Sequence, residues 1–223
     1  MTEQNDQVVR QLVEKVLQHV ESGWGGRVSP TTGKGASKPV TSAGYVPASA
    51  ASAAPATAGN RLGQFTNVDD AVAAAKTAQR ALVCRSLAQR ESACELIRQI
   101  CRDQAAELGR MEFAETKIGH EPHKAQKLQV AADCAMGTEA LKTGCFSGDY
   151  GITLEEAGPW GVIGVITPVT HSLPTLAVNA VNMIAAGNSL VCNPHPSGKK
   201  IAAYGAMLFN KAIHEKLGID NLI

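Results

Sequence analysis

The chain has 223 residues and a formal net charge of +1. This near-neutral charge argues against a protein that binds nucleic acid, because such proteins normally carry a basic stripe. No apolar run is long enough to span a bilayer and the N-terminus lacks the pattern of a signal peptide, so we expect a cytoplasmic protein that binds neither nucleic acid nor a membrane.

The first predicted element is an amphipathic helix within residues 1–22. In the segment 5–20, "NDQVVRQLVEKVLQHV", the apolar residues recur at the spacing of one helix face, and charged residues such as Arg10 and Glu14 fall on the opposite face. The sequence leaves two interpretations open. The helix either docks onto a partner, or it folds back on its own subunit or forms a coiled coil.

A disordered linker is predicted over residues 23–61. The segment is rich in Gly, Ala, Ser, Thr and Pro and offers little apolar surface to bury. A short helix separated from the rest by such a linker cannot easily hide its apolar face in the main core. We therefore favour docking of residues 5–20 onto another protein.

The globular part is predicted to cover residues 62–223 and to begin with helices. Asn67 can cap a helix over 67–82, and Ser86 can cap a second one over 86–109 with Leu87 and Leu108 facing inward. A short helix is predicted over 111–119. A further helix is predicted over 121–144, with Pro122 in its first turn.

Strands and helices then alternate. Strands are predicted at 151–158, 162–167, 189–194 and 221–223, with helices at 174–187 and from Ser197 to Gly218. This order indicates an α/β fold with a partial doubly wound parallel sheet. Pro194 and Pro196 must end the strand at 189–194, because proline cannot continue a ladder, and His195 lies between them. A polar turn at the carboxyl end of a parallel strand is typical of a ligand site.

Several segments resemble a known family. The segments are "ETKIGHEPHKAQK", "GPWGVIGVITP", "NMIAAGNSLVCNPHPSGKK" and "GIDNLI". Over 62–223 the chain is similar to the aldehyde dehydrogenase superfamily, and more narrowly to the CoA-acylating aldehyde dehydrogenases of bacterial microcompartments. The leading helix and linker resemble the encapsulation peptide by which such enzymes dock onto shell proteins.

The resemblance implies an oxidoreductase with NAD as cofactor and CoA as co-substrate. It would convert a short-chain aldehyde to an acyl-CoA through a cysteine thioester in the microcompartment lumen, and form a homo-oligomer when full length. The sequence does not name the aldehyde. The alternatives are a non-catalytic microcompartment cargo or adaptor module and a non-acylating aldehyde dehydrogenase.

The resemblance also implies which residues contact the nucleotide. Asn193 stands where general aldehyde dehydrogenases have a lysine at the adenosine ribose, whereas the acylating branch has Ser or Asn before Pro-His-Pro. We therefore expect Asn193 and His195 near the ribose, and near CoA as well. The residues expected to bind the cofactor are Ile166, Thr167, Pro168, Val169, Thr170, Asn193, Pro194, His195 and Pro196.

Two features depart from the family pattern. His171 occupies the place of the asparagine that donates to the oxyanion, a role that an imidazole N–H can also fill, and Asn179 is expected to be structural. None of the six cysteines lies in a motif that matches the family's nucleophile. We expect a truncated NAD-binding domain, the N-terminal part of a longer enzyme, that lacks the catalytic domain and is inactive alone. The cysteines are expected to be free thiols.

Overall fold

The structure is a computed structural model and describes residues 63–223; the predicted helix within 1–22 and the linker over 23–61 lie outside the described residues. Four helices come first along the described segment: α1 (Val68–Val83), α2 (Leu87–Asp103), α3 (Ala105–Thr116) and α4 (Glu121–Cys134). They are followed by β1 (Gly144–Gly148), β2 (Gly151–Glu155), β3 (Val162–Thr167), α5 (Ser172–Ala185), β4 (Ser189–Pro194) and α6 (Lys199–Leu217).

The first helices begin where their caps predict. The side chain of Asn67 accepts a hydrogen bond from the N–H of Asp69, and Ser86 forms a reciprocal capping box with Gln89. The single helix predicted over 86–109 is wrong, because the chain breaks at Gln104 and continues as α3 to Thr116. The prediction that Leu87 faces inward is also wrong, since 44% of this residue is exposed.

The helix predicted over 121–144 ends ten residues early. Ala135 adopts an extended backbone after Cys134, and its carbonyl accepts a hydrogen bond from Arg98 Nη2 at 2.8 Å. The predicted strand near 151–158 is present as β2, but it pairs antiparallel with β1, a strand that the sequence did not predict. Gly144, Ser147 and Gly148 have low strand propensity, which explains why β1 was missed.

The parallel sheet is smaller than predicted. β3 and β4 pair in parallel through the crossover helix α5, with Ile166 opposite Asn193 in the register. The further strand predicted to begin at 221–223 is not formed within the described residues, where one backbone bond, from Leu190 N–H to the Leu222 carbonyl at 3.1 Å, joins this segment to β4. The side chain of Asn210 instead binds the backbone of this segment: its Oδ1 accepts from the N–H groups of Leu222 and Ile223, and its Nδ2 donates to the Ile223 carbonyl. Within residues 63–223 the fold is thus α/β and mostly helical, with two parallel strands.

The core lies where α2, α5 and α6 pack together beside β3 and β4. Its fully buried members include Ile97, Leu176, Leu190, Phe209 and Ile213. Among residues 63–223, none of the helices combines the length and the apolar character that crossing a bilayer requires. Packing of α5 against both strands places the turns that follow β3 and β4 side by side.

Candidate functional site

The turns after β3 and β4 meet at the carboxyl edge of the parallel sheet. His195 N–H donates to the Thr167 carbonyl at 3.0 Å. The hydroxyls of Thr167 and Ser172 lie 3.0 Å apart, and Ser172 Oγ donates to the Gly198 carbonyl at 3.1 Å. The structure therefore brings together the two segments that sequence analysis assigned to the cofactor.

The turn after β4 exposes polar groups. Asn193 and His195 are exposed, and the His195 ring accepts a hydrogen bond at Nδ1 from Ser197 N–H at 3.1 Å. Because Nδ1 is the acceptor, the neutral ring carries its proton on Nε2. Pro194 and Pro196 hold the backbone on either side. This turn thus offers a fixed imidazole donor next to an amide side chain.

The turn after β3 presents an apolar surface. Ile166 is 81% exposed, and it lies on the same face as Asn193 because the two are register partners. Gly164, two residues earlier on that face, would have open space around a Cβ atom. Pro168 and Thr170 are exposed and Val169 is half-buried. An aromatic or ribose ring can lie flat on such a surface.

Thr167 differs from the other residues predicted to bind the cofactor. Its side chain is fully buried and its hydroxyl contacts Ser172 Oγ. It cannot present this hydroxyl to a ligand on the exposed face of the sheet. The structure gives Thr167 the role of joining the two turns.

His171 lies between the β3 turn and α5. The residue is exposed, its Nδ1 lies 2.8 Å from Thr170 Oγ1, and its backbone occupies the N-cap position of α5. Partial burial, together with the cations Lys127 and Lys124, holds the pKa of His171 below its ordinary value. The imidazole is therefore neutral at neutral pH and can donate one N–H.

A buried ion pair supports this turn, and the sequence analysis missed it. Lys124 Nζ lies 3.3 Å from Glu112 Oε1 and donates to the Thr170 carbonyl at 2.6 Å, while Ser172 N–H donates to the same Glu112 oxygen at 2.8 Å. Burial raises the pKa of Glu112, and the nearby Lys124 partly opposes this effect. A signal was present in the sequence, because Lys124 falls in the apolar stripe of α4 with Leu128 and Ala131.

Glu115 closes the N-terminus of α6. Its two carboxylate oxygens accept hydrogen bonds from the N–H groups of Lys200 and Ile201, at 2.8 and 2.7 Å. An open helix N-terminus would attract a phosphate. Here the chain's own carboxylate occupies that position, so a dinucleotide phosphate gains nothing from this helix end.

A groove of about 800 Å³ lies between α4 and α5. The remaining lining is mainly apolar, with Val130 and Val178 among its members, and the polar residues are His123, Gln126, Lys127, His171, Thr175 and Asn179. Asn179, expected to be structural, thus lines the same groove as His171. Sequence reasoning could not find this groove, because it depends on the packing of two helices that are distant along the chain.

A model of the aldehyde dehydrogenase family matches residues 47–220. The chain belongs to the aldehyde dehydrogenase family. The acetaldehyde dehydrogenase (acetylating) EutE of Salmonella typhimurium is 40% identical over 172 residues, which are 77% of this chain and 36% of the relative. The chain therefore spans about a third of the length of this relative.

Solved structures of aldehyde dehydrogenases also match this aldehyde dehydrogenase chain. A propionaldehyde dehydrogenase from the fucose utilisation microcompartment of Clostridium phytofermentans matches with a TM-score of 0.70 and 40% identity over 72% of this chain and 37% of that one. The Rhodopseudomonas palustris propionaldehyde dehydrogenase with bound propionyl-CoA matches with a TM-score of 0.69 and 38% identity, over 72% and 36% of the two chains. The predicted resemblance to the acylating branch is confirmed.

The cysteines of this aldehyde dehydrogenase chain are free, as predicted. Burial raises the pKa of the Cys94 and Cys101 thiols to about 12 and that of Cys192 to about 11. These three thiols are protonated at neutral pH and do not act as nucleophiles. Among the described residues, no group of three or more His, Cys, Asp or Glu residues is arranged to hold a metal ion.

Proposed function

We propose that this chain carries part of the NAD-binding domain of a CoA-acylating aldehyde dehydrogenase that works in a microcompartment lumen. Such an enzyme converts a short-chain aldehyde, CoA and NAD to an acyl-CoA and NADH, and we propose that it acts as a homo-oligomer. The observation that carries the proposal is the 40% identity to an acetylating acetaldehyde dehydrogenase and to a microcompartment propionaldehyde dehydrogenase.

The residues of the two turns fit a nicotinamide nucleotide. When bound, NAD supplies the hydride acceptor for oxidation of the substrate. Ile166 offers an apolar platform, and Asn193 and His195 offer an amide and an N–H donor beside it. We assign the ribose to Asn193 and His195, and we place CoA near the same turn. The closed N-terminus of α6 leaves the phosphates to other parts of the protein.

His171 is proposed to stabilise an oxyanion. A neutral imidazole donates one N–H without adding a full charge, and its orientation is fixed by the bond between Nδ1 and Thr170 Oγ1. The lowered pKa of His171 keeps the ring in this neutral form at neutral pH. His171 would thereby take the part that an asparagine amide plays in related enzymes.

Titration of the chain with NAD tests the nucleotide assignment. We expect His195→Ala to weaken NAD binding about tenfold, which corresponds to the loss of one hydrogen bond. Isothermal titration calorimetry of both proteins provides the measurement. The matched control is His214→Ala, since His214 lies about 22 Å from the turn along α6 and should leave the affinity unchanged. Equal affinities of the parent and His195→Ala would contradict the assignment.

Formation of product distinguishes the acylating reaction from its alternatives. In a longer polypeptide that contains this chain, acyl-CoA should form only when aldehyde, NAD and CoA are all present. Free acid formed without CoA would favour a non-acylating enzyme, and a complete lack of turnover would favour a cargo or adaptor module.

We also propose that residues 5–20 bind a microcompartment shell protein. The support is the apolar face predicted from Val9, Leu12 and Val16, together with the similarity of the chain to a microcompartment enzyme. A fluorescent protein fused to residues 1–22 should enter compartments when it is co-expressed with shell proteins. Leu12→Glu should abolish entry, whereas Lys15→Glu, on the polar face, should not. Equal entry of both variants would show that the apolar face is not the docking surface.

A further inference from the structure

We infer that Glu112 and Lys124 are positioning residues that set the orientation of His171. This inference rests on the proposed function of His171 in the site. Neither residue reaches the groove or the exposed face of the sheet, because both side chains are almost completely buried. They act on His171 through the backbone groups that flank it.

The two residues hold the chain on both sides of His171. The carbonyl of Thr170, just before it, accepts from Lys124 Nζ at 2.6 Å, and the N–H of Ser172, just after it, donates to Glu112 Oε1 at 2.8 Å. The backbone of His171 itself is not helical, with φ of −158° and ψ of 65°. With both flanking peptide groups fixed, the contact between His171 Nδ1 and Thr170 Oγ1, 2.8 Å apart, sets the orientation of the ring.

Stability alone does not explain a charge pair at this place. Burying two charges is costly, and apolar side chains of similar volume are often at least as stable. Glu112 Oε2 is buried and has no hydrogen-bond partner among the described residues, so the ion pair leaves one of its own acceptor atoms unsatisfied. A carboxylate and an ammonium group provide a hydrogen-bond acceptor and a donor at defined positions against the turn. Apolar side chains cannot provide these groups.

The neighbouring charges provide a control. Lys127 and Lys124 both lower the pKa of His171, but the structure shows no hydrogen bond between Lys127 and the described part of the turn. Loss of the Lys127 charge should therefore raise the pKa of His171 and leave the turn in place. Loss of the Glu112–Lys124 pair should change both the pKa of His171 and the conformation of the turn.

NMR of the full 223-residue chain tests the inference with the double variant Glu112→Leu/Lys124→Met, which removes both charges together and is expected to fold. We expect the Ser172 amide to exchange with solvent about tenfold faster or more. We also expect the ring ¹⁵N shifts of His171 to move towards those of a free histidine, because the contact with Thr170 Oγ1 is no longer held. A merely structural pair would leave the ring shifts unchanged.

Two further variants keep the test decisive. Lys127→Met should raise the pKa of His171 without changing Ser172 exchange, and Glu112→Gln should keep most of the protection of Ser172, since its amide oxygen still accepts. The inference is overturned if the double variant retains wild-type His171 ring shifts, whether or not Ser172 exchange changes, or if Lys127→Met reproduces both effects of the double variant. NAD titration of the unmodified chain is independent of these signals, so absent binding would refute the proposed function while leaving the positioning result intact.

Discussion

The variant Lys124→Met is expected to lower the free energy of unfolding by about 3–5 kcal/mol, because it leaves the Glu112 carboxylate buried without its counter-charge. Lys124 is 1% exposed and Glu112 is fully buried, so water cannot replace the lost partner. Urea unfolding of the parent and the variant measures the difference. The double variant Glu112→Leu/Lys124→Met should recover most of the loss, since both charges are then absent.

The loss of unfolding free energy caused by Lys124→Met should also depend on pH. The pKa of Glu112 is raised in the folded protein, so the folded state holds its proton more tightly than the unfolded chain does. Stability therefore falls as pH rises from the ordinary Glu value of 4.5 through the folded pKa, and then levels off. Without Lys124 the folded pKa moves further up, so the deficit should be larger at about pH 8 than at about pH 5. Equal deficits at both pH values would contradict a charged Glu112.

The variant Gly109→Ala should also be strongly destabilising, by about 2–3 kcal/mol. An alanine Cβ at this position would lie 2.6 Å from the Ala125 backbone nitrogen, and 3.0 Å from its Cα. These are backbone atoms, so no side-chain rotation can relieve the clash and α3 must move away from α4. Because these helices carry Glu112 and Lys124, the movement should also loosen the turn around His171.

A matched glycine provides the control for Gly109→Ala. Gly148 in β1 would have no heavy atom within 4 Å of an added Cβ. Gly148→Ala should therefore change the unfolding free energy by less than about 1 kcal/mol. Chemical denaturation of both variants under the same conditions makes the comparison. If the two substitutions had equal effects, close packing of α3 on α4 would not be the cause.

Elements with local signals were predictable from the sequence. Asn67 and Ser86 mark helix starts because each cap contacts a backbone group only two or three residues away. The alternation of β3, α5 and β4 follows from apolar runs ended by Gly187 and Pro194. The position of His195 between two prolines likewise indicated a turn at the end of a strand, where the structure places it.

Features that depend on distant partners were not predictable. The early end of α4 involves Arg98, which lies 37 residues before the carbonyl of Ala135 that it contacts. The support of the His171 turn joins Glu112 to Ser172 across 60 residues and Lys124 to Thr170 across 46. Neither spacing leaves a periodic pattern in the sequence. A lysine in an apolar stripe was the one local sign of this arrangement.

The carboxylate of Glu115 behaves as a permanent counter-ion built into the chain at the start of α6. In a cell, inorganic phosphate and phosphorylated metabolites compete for any unoccupied helix start that carries a partial positive charge. Here that competition does not arise, since the helix start is already occupied by a side chain that is covalently part of the protein and cannot leave. The recognition of a nucleoside proposed for the neighbouring turn would then depend on shape and hydrogen bonds rather than on the abundance of free phosphate.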